Sequence, residues 1–214
     1  MKSFTYLYLT WGIFVFMSCR PDSGPNDYAS QEIIPDAAVP IELELEEGEE
    51  RFSFSVFYEG DFTEQVLIDD ITSHFYIYES TFTLSSFSGD RTEGVSSDMI
   101  THLGGAWWGG GIHWDEAKDL SEWSTLHLSL QAKANQFTSL ELAMNNSDTA
   151  QFKINLVDHG WESNGNWQQL EIPLETLIEK GLDLTQVRAP FVLIGGSGEA
   201  GEKLLIDAVY LSKN

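Results

Sequence analysis

From residue 51 onward, apolar and polar side chains alternate with a period of two. The pattern runs through residues 51–58 (RFSFSVFY), 73–79 (SHFYIYE), 97–103, 106–114, 125–131 (TLHLSLQ) and 139–145 (SLELAMN). It continues through 151–157 (QFKINLV), 167–172 (WQQLEI), 191–194 and 203–211 (KLLIDAVYL). Such alternation marks strands with one buried face. Gly, Asn, Asp and Ser cluster between the segments, so many short strands joined by turns predict an all-β sandwich. The one helix the pattern predicts is 174–180, stopped by Gly181.

Alternation also assigns faces. Leu126, Leu128 and Leu130 point inward, which turns His127, Ser129 and Gln131 outward. Leu140, Leu142 and Met144 leave Glu141 and Asn145 outside, and Phe152, Ile154 and Leu156 leave Gln151, Lys153 and Asn155 outside. If the three strands are neighbours, they build one polar platform.

The first fifty residues follow a different pattern. Residues 1–19 (MKSFTYLYLTWGIFVFMSC) begin with Lys2 and continue as an uncharged apolar run, short for a membrane span and suited to a secretory signal. The run closes on Ser18-Cys19, which resembles a bacterial lipobox. That resemblance implies that Cys19 is lipidated as the first mature residue, and that the protein is held by its lipid on the cell envelope, at the outer membrane. Residues 20–50 carry Pro21, Pro25, Pro35 and Pro40 and end IELELEEGEE, which predicts an acidic tether. The expected folded domain is 51–214.

Charge narrows the function classes. The chain has 11 Lys+Arg against 34 Asp+Glu, a net charge of −23. Residues 20–70 alone hold 15 acids and 2 bases. No basic stripe exists to displace counterions from phosphates, so nucleic acid is not an expected partner. The single cysteine excludes an internal disulfide.

From Trp107 on, the chain resembles the galactose-binding-like β-sandwich appended to family 3 glycoside hydrolases and similar carbohydrate-binding modules. The pieces that carry the resemblance are, in order, residues 108–112 (WGGGI), 119–123 (DLSEW), 166–174 (NWQQLEIPL), 181–184 (GLDL) with 190–193 (PFVL), and 205–211 (LIDAVYL). It implies a jelly-roll fold and a non-catalytic, carbohydrate-binding role. It also implies a structural calcium, with Glu79 and Asp207 at matching positions.

Sugar chemistry selects the remaining candidates. A pyranose stacks its C–H face on an aromatic ring, and its hydroxyls need paired donors and acceptors. Trp107, Trp108, Trp114 and Trp161 are the candidate platforms, with Gly109–Gly111 as a bare floor beside them. Asn145, Gln151, Lys153 and Asn155 are the candidate polar partners. Trp123 and Trp167 read as core, and Asp119 and Ser121 as turn residues. Catalytic motifs are absent from the sequence: five histidines form no H-E-x-x-H, and 195–199 (GGSGE) fails the nucleophile-elbow pattern. Residues 196–201 fit G-x-G-x-x-G but lead into a strand, so they read as a hairpin loop. Two other readings stay open at this stage. One is a structural or protein-interaction module without a sugar groove; the other is a small glycan hydrolase or lyase built on two facing carboxylates.

Overall fold

A computed structural model describes residues 40–69, 72–147 and 150–213. The signal, Cys19 and the first part of the tether lie outside the described residues. Twelve strands follow in chain order: β1 (Arg51–Ser53), β2 (Val66–Ile68), β3 (Ser73–Ile77), β4 (Phe82–Phe87), β5 (Ser97–His102) and β6 (Trp108–Trp114). Then come β7 (Thr125–Ala132), β8 (Leu140–Ser147), β9 (Ala150–Asn155), β10 (Gln168–Pro173), β11 (Ala189–Gly195) and β12 (Lys203–Ser212). One short helix, α1 (Glu175–Ile178), lies inside the segment predicted as helical.

The strands form two sheets. One has seven strands, in the order β10-β7-β12-β1-β2, with β5 also pairing β12 and β4 pairing β5. The other has five, in the order β3-β6-β11-β8-β9. The jelly-roll sandwich expected from the sequence is what the chain forms. Among the described residues the strand pairings are antiparallel except that of β1 with β2, which is parallel.

The inward residues are those the alternation selects. Leu126, Leu128, Leu130, Leu140, Leu142, Met144 and Leu156 are all buried, and they meet Trp108, Ile112 and Phe191 between the sheets. Burying an apolar side chain of this size stabilises by roughly 1.5–3 kcal/mol, which is why the two-residue period fixes the register. Gly195 is a condition of this packing: a Cβ there would collide with the Trp108 indole. Trp108 can therefore lie flat across the end of β11.

Several expectations change. Residues 51–58 form a strand only to Ser53; beyond it Phe57 N–H bonds back to the Phe54 carbonyl (2.8 Å), so Phe54 and Phe57 enter the core through a turn. β2 and β4 escaped the pattern, the first because it is three residues long, the second because its alternation breaks at Ser85-Ser86. Trp167 is half-buried and donates from Nε1 to Asp90 Oδ1 (2.9 Å). Residues 196–201 are no hairpin, because they carry the chain from β11 in one sheet to β12 in the other.

The last ten residues of the expected tether lie against the domain. Ile41 and Gly94 exchange backbone hydrogen bonds (both 2.9 Å), Gln65 Nε2 donates to the Glu46 carbonyl (3.0 Å), and Glu49 pairs with Arg51 (3.1 Å).

Candidate functional site

The three-strand platform does not form. β8 and β9 are neighbours, but β7 belongs to the seven-stranded sheet, so His127, Ser129 and Gln131 face the opposite side of the molecule. The outer face of the five-stranded sheet has other members. One rung runs Tyr76–Gly111–Val192–Ala143–Lys153 across all five strands. The rung beside it pairs His74 with His113 and Ala189 with Asn145.

At the β3–β6 side of this face lies a cleft of about 660 Å³. Tyr76 stands in it with 47% of its surface exposed. Its ring is held edge-on by His113 (centroids 5.4 Å, 88°) and His74 (6.2 Å, 62°), which leaves ring surface open to solvent. Tyr78 follows two residues on, and its hydroxyl lies 2.7 Å from His113 Nε2 in a hydrogen bond. Burial pushes the Tyr78 phenol up to about 12, so it stays protonated. Glu79 and Ser80 take left-handed backbone angles (φ 49° and 53°), a conformation that costs energy outside glycine and turns the chain sharply at the cleft edge. His74 Nε2 pairs with Asp115 Oδ1 (3.3 Å), and Arg188 donates to the Asp115 carbonyl (2.7 Å). Ile77, Trp114, Asn145 and Gln151 complete the wall, Trp114 with almost none of its surface exposed.

This arrangement redistributes the candidates. Asn145 and Gln151 are in the cleft, Gln151 exposed and Asn145 buried at its base. Lys153 is on the same face at the far edge strand, tied to Glu141 (2.7 Å). Asn155 is used structurally, its Oδ1 accepting from Val157 N–H to cap the turn after β9. Trp108, Trp114 and Trp161 are core residues, 1%, 2% and 3% exposed. Trp161 leaves its loop to donate from Nε1 to the Phe137 carbonyl (2.8 Å), the cheaper outcome for a loop indole. Only Trp107 stands out, at 38% exposure.

The glycines are not an open floor either. Space above Gly109 is closed by the Trp107 and Tyr78 rings, each 3.1 Å from where a Cβ would sit. Gly111 admits Val192, whose Cα lies 2.7 Å from the same point. Each missing side chain lets a neighbour approach.

His74, Tyr76, Tyr78, His113, Asp115 and Arg188 were missed by sequence reasoning. A signal was present for the first three, which alternate along SHFYIYE, His74 and Tyr76 on one face of β3 and Tyr78 just past its end. Their importance depends on the pairing of β3 with β6, which spacing alone does not show.

Glu79 and Asp207 do not come together. Glu79 edges the cleft on one sheet, whereas Asp207 is buried beside the other, near Glu59 and Glu93. Asp207 Oδ2 accepts from Thr92 N–H (2.5 Å), Thr92 Oγ1 (2.9 Å) and Glu93 N–H (3.1 Å), and Oδ1 from Ala208 N–H (2.9 Å). Among the described residues, no three His, Cys, Asp or Glu side chains are grouped to hold a metal. A calcium shared by Glu79 and Asp207 does not fit this arrangement.

Residues 51–213 match the family model for carbohydrate binding domain 30. The chain belongs to that family. Solved structures agree on the fold of this family 30 domain. It is similar to the crystal structure of a family 30 carbohydrate-binding module (TM-score 0.52, 13% identity, covering 62% of this chain and 74% of the other). It is also similar to the family 30 module of a cellulosomal cellulase of Clostridium thermocellum (0.52, 13%, 67% and 92%). An exo-β-agarase matches at 0.51 and 15% identity, over 74% of this chain and 24% of the enzyme. No curated protein is significantly similar to the chain. The resemblance drawn from the sequence and the family match name the same class, a carbohydrate-binding β-sandwich.

Proposed function

We propose that the domain binds a polysaccharide in the cleft on the outer face of its five-stranded sheet, and does not cleave it. The observation that carries this reading is Tyr76, a half-exposed ring fixed by two histidines and surrounded by amide, imidazole and guanidinium groups. A pyranose face rests on the ring while hydroxyls reach Gln151, His74 and Arg188. Trp107 and Tyr78, meeting over Gly109 on the same face, offer a second aromatic contact. Retention of the protein in affinity gels containing laminarin, mixed-linkage glucan, xylan or agarose tests the reading, with Tyr76→Ala as the decisive variant.

A hydrolase is the second reading, because Glu79 and Asp115 both line the cleft. Asp115 is 64% exposed and engaged by His74, whereas a general acid needs a desolvated carboxyl. Reducing-sugar release from the same polysaccharides, abolished by Asp115→Asn, would replace binding with catalysis.

The second part of the proposal concerns location. The lipobox-like end of residues 1–19 supports a lipid on Cys19 and an outer-membrane position. Cys19→Ser should move the protein from the detergent phase to the aqueous phase on Triton X-114 partition; an unchanged distribution would remove the anchor.

A further inference from the structure

A second polar cavity, of about 140 Å³, opens at one end of the sandwich, away from the cleft. It lies between the end of β5, the β7–β8 connection and the loop that crosses from β11 to β12. His102 is 1% exposed and lines it. Gly104 N–H donates to His102 Nδ1 (2.7 Å), so that nitrogen is an acceptor and carries no proton. The ring proton is therefore on Nε2. Among the described residues, that buried N–H has no hydrogen-bond partner. A buried donor without an acceptor is unfavourable enough that native structures rarely keep one.

The tautomer defines what the cavity takes. A protonated Nε2 cannot ligate a cation, so its partner is an acceptor. Glu202 Oε2 stands close by. A point above Gly198, where a Cβ would sit, is 2.7 Å from Glu202 Oε2 and 3.2 Å from His102 Nε2. The carboxylate repels an anion and requires a donor. A hydroxyl meets both demands, accepting from His102 and donating to Glu202. Ser139 and Ser197 add hydroxyls, and Trp108 and Phe137 supply apolar wall. A cavity of about 150 Å³ encloses a ring the size of benzene, so this partly open one takes the hydroxyl-bearing edge of a single pyranose and leaves the rest at its mouth. A polymer running through would not fit.

We propose that this cavity is a second carbohydrate site that holds one neutral pyranose residue, such as the end of a glycan chain. It shares no side chain with the Tyr76 cleft and stands whether or not that cleft binds polymer. The test is a titration of the ¹⁵N-labelled full chain with D-glucose, D-galactose, D-mannose and D-xylose, following the His102 imidazole nitrogens and the Ser197 and Gly198 amides. At least one sugar should shift these signals saturably, with a millimolar Kd. Gly198 has no positive φ, so Gly198→Ala fills the notch without backbone strain and should abolish the response. Glu202→Gln, on a half-exposed residue, should weaken it at least tenfold. Tyr76→Ala should leave it intact, and Gly198→Ala should leave polysaccharide retention intact, so the two sites fail separately. No shift with any of the four sugars, or a response that survives Gly198→Ala, overturns the proposal.

Discussion

Replacing Tyr76 by Ala separates a binding surface from a packed core. The ring is 47% exposed and touches His74 and His113 only by its edges, so its removal leaves no cavity between the sheets. Aromatic stacking on a flat ligand ring is worth roughly 1–3 kcal/mol per contact, by analogy with nucleobases. At about 1.4 kcal/mol per decade, affinity should fall between about 5-fold and 150-fold. Trp108→Ala is the contrast. That indole is 1% exposed and packs against Phe82 and Phe137 (both 5.5 Å). Truncating such a ring costs roughly 3–5 kcal/mol, which lowers Tm by about 6–20 °C at roughly 2–4 °C per kcal/mol. Affinity electrophoresis and thermal melts on both variants decide the matter. Tyr76→Ala should melt near the wild type and lose retention; Trp108→Ala should melt early and, while folded, keep it. Undiminished retention of a folded Tyr76→Ala protein would refute the assignment of the cleft.

Three other outcomes follow from the same geometry. Burial, and then the Asp207 and Glu59 carboxylates, push Glu93 up to about 7, and the same influences push Asp98 up to about 7. The unfolded chain ionises both near pH 4, so the folded state holds extra protons up to about pH 7 and loses stability as pH rises through that window. Urea titrations should show Asp98→Asn more stable than wild type at pH 8, on the order of 2–4 kcal/mol, and the difference should vanish near pH 4. His127 runs the other way: burial holds its imidazole below the usual histidine range, so its contribution is complete above about pH 6.5 and is lost as pH falls further. His127→Gln should flatten that limb of the stability profile. Gly111→Ala would set a Cβ against the Phe191 carbonyl and 2.7 Å from Val192 Cα. Backbone cannot yield there, so calorimetry should report roughly 1–3 kcal/mol of destabilisation.

Much of the sandwich was legible because burial on one face imposes a period of two, and the Leu residues of β7 and β8 obey it without exception. The same logic fails where an outer face is itself covered. Asn145 has outward parity yet is buried at the base of the cleft, and Ala143 and Val192 lie buried beside Tyr78 and Ile194. Strand order was illegible too: β7 and β8 are consecutive in sequence but belong to different sheets. The platform of amides failed first on that point, and Asn155, spent on capping the turn after β9, would not have joined it. For the tryptophans, residue type suggested a ligand surface, whereas the volume between two sheets demanded large rings. Trp108, Trp114 and Trp161 fill it, and the smaller, less conspicuous Tyr76 remains outside. The histidines were scattered in sequence, and only the register of β3 against β6 sets His74 beside His113.

The placement of β12 governs when this molecule can fold. Residues 203–212 pair with β1, β5 and β7. Until that stretch has left the ribosome, three ladders have no partner and the seven-stranded sheet has no centre. A nascent chain stopped short of residue 203 therefore lacks the strand on which three ladders of the native sheet are built.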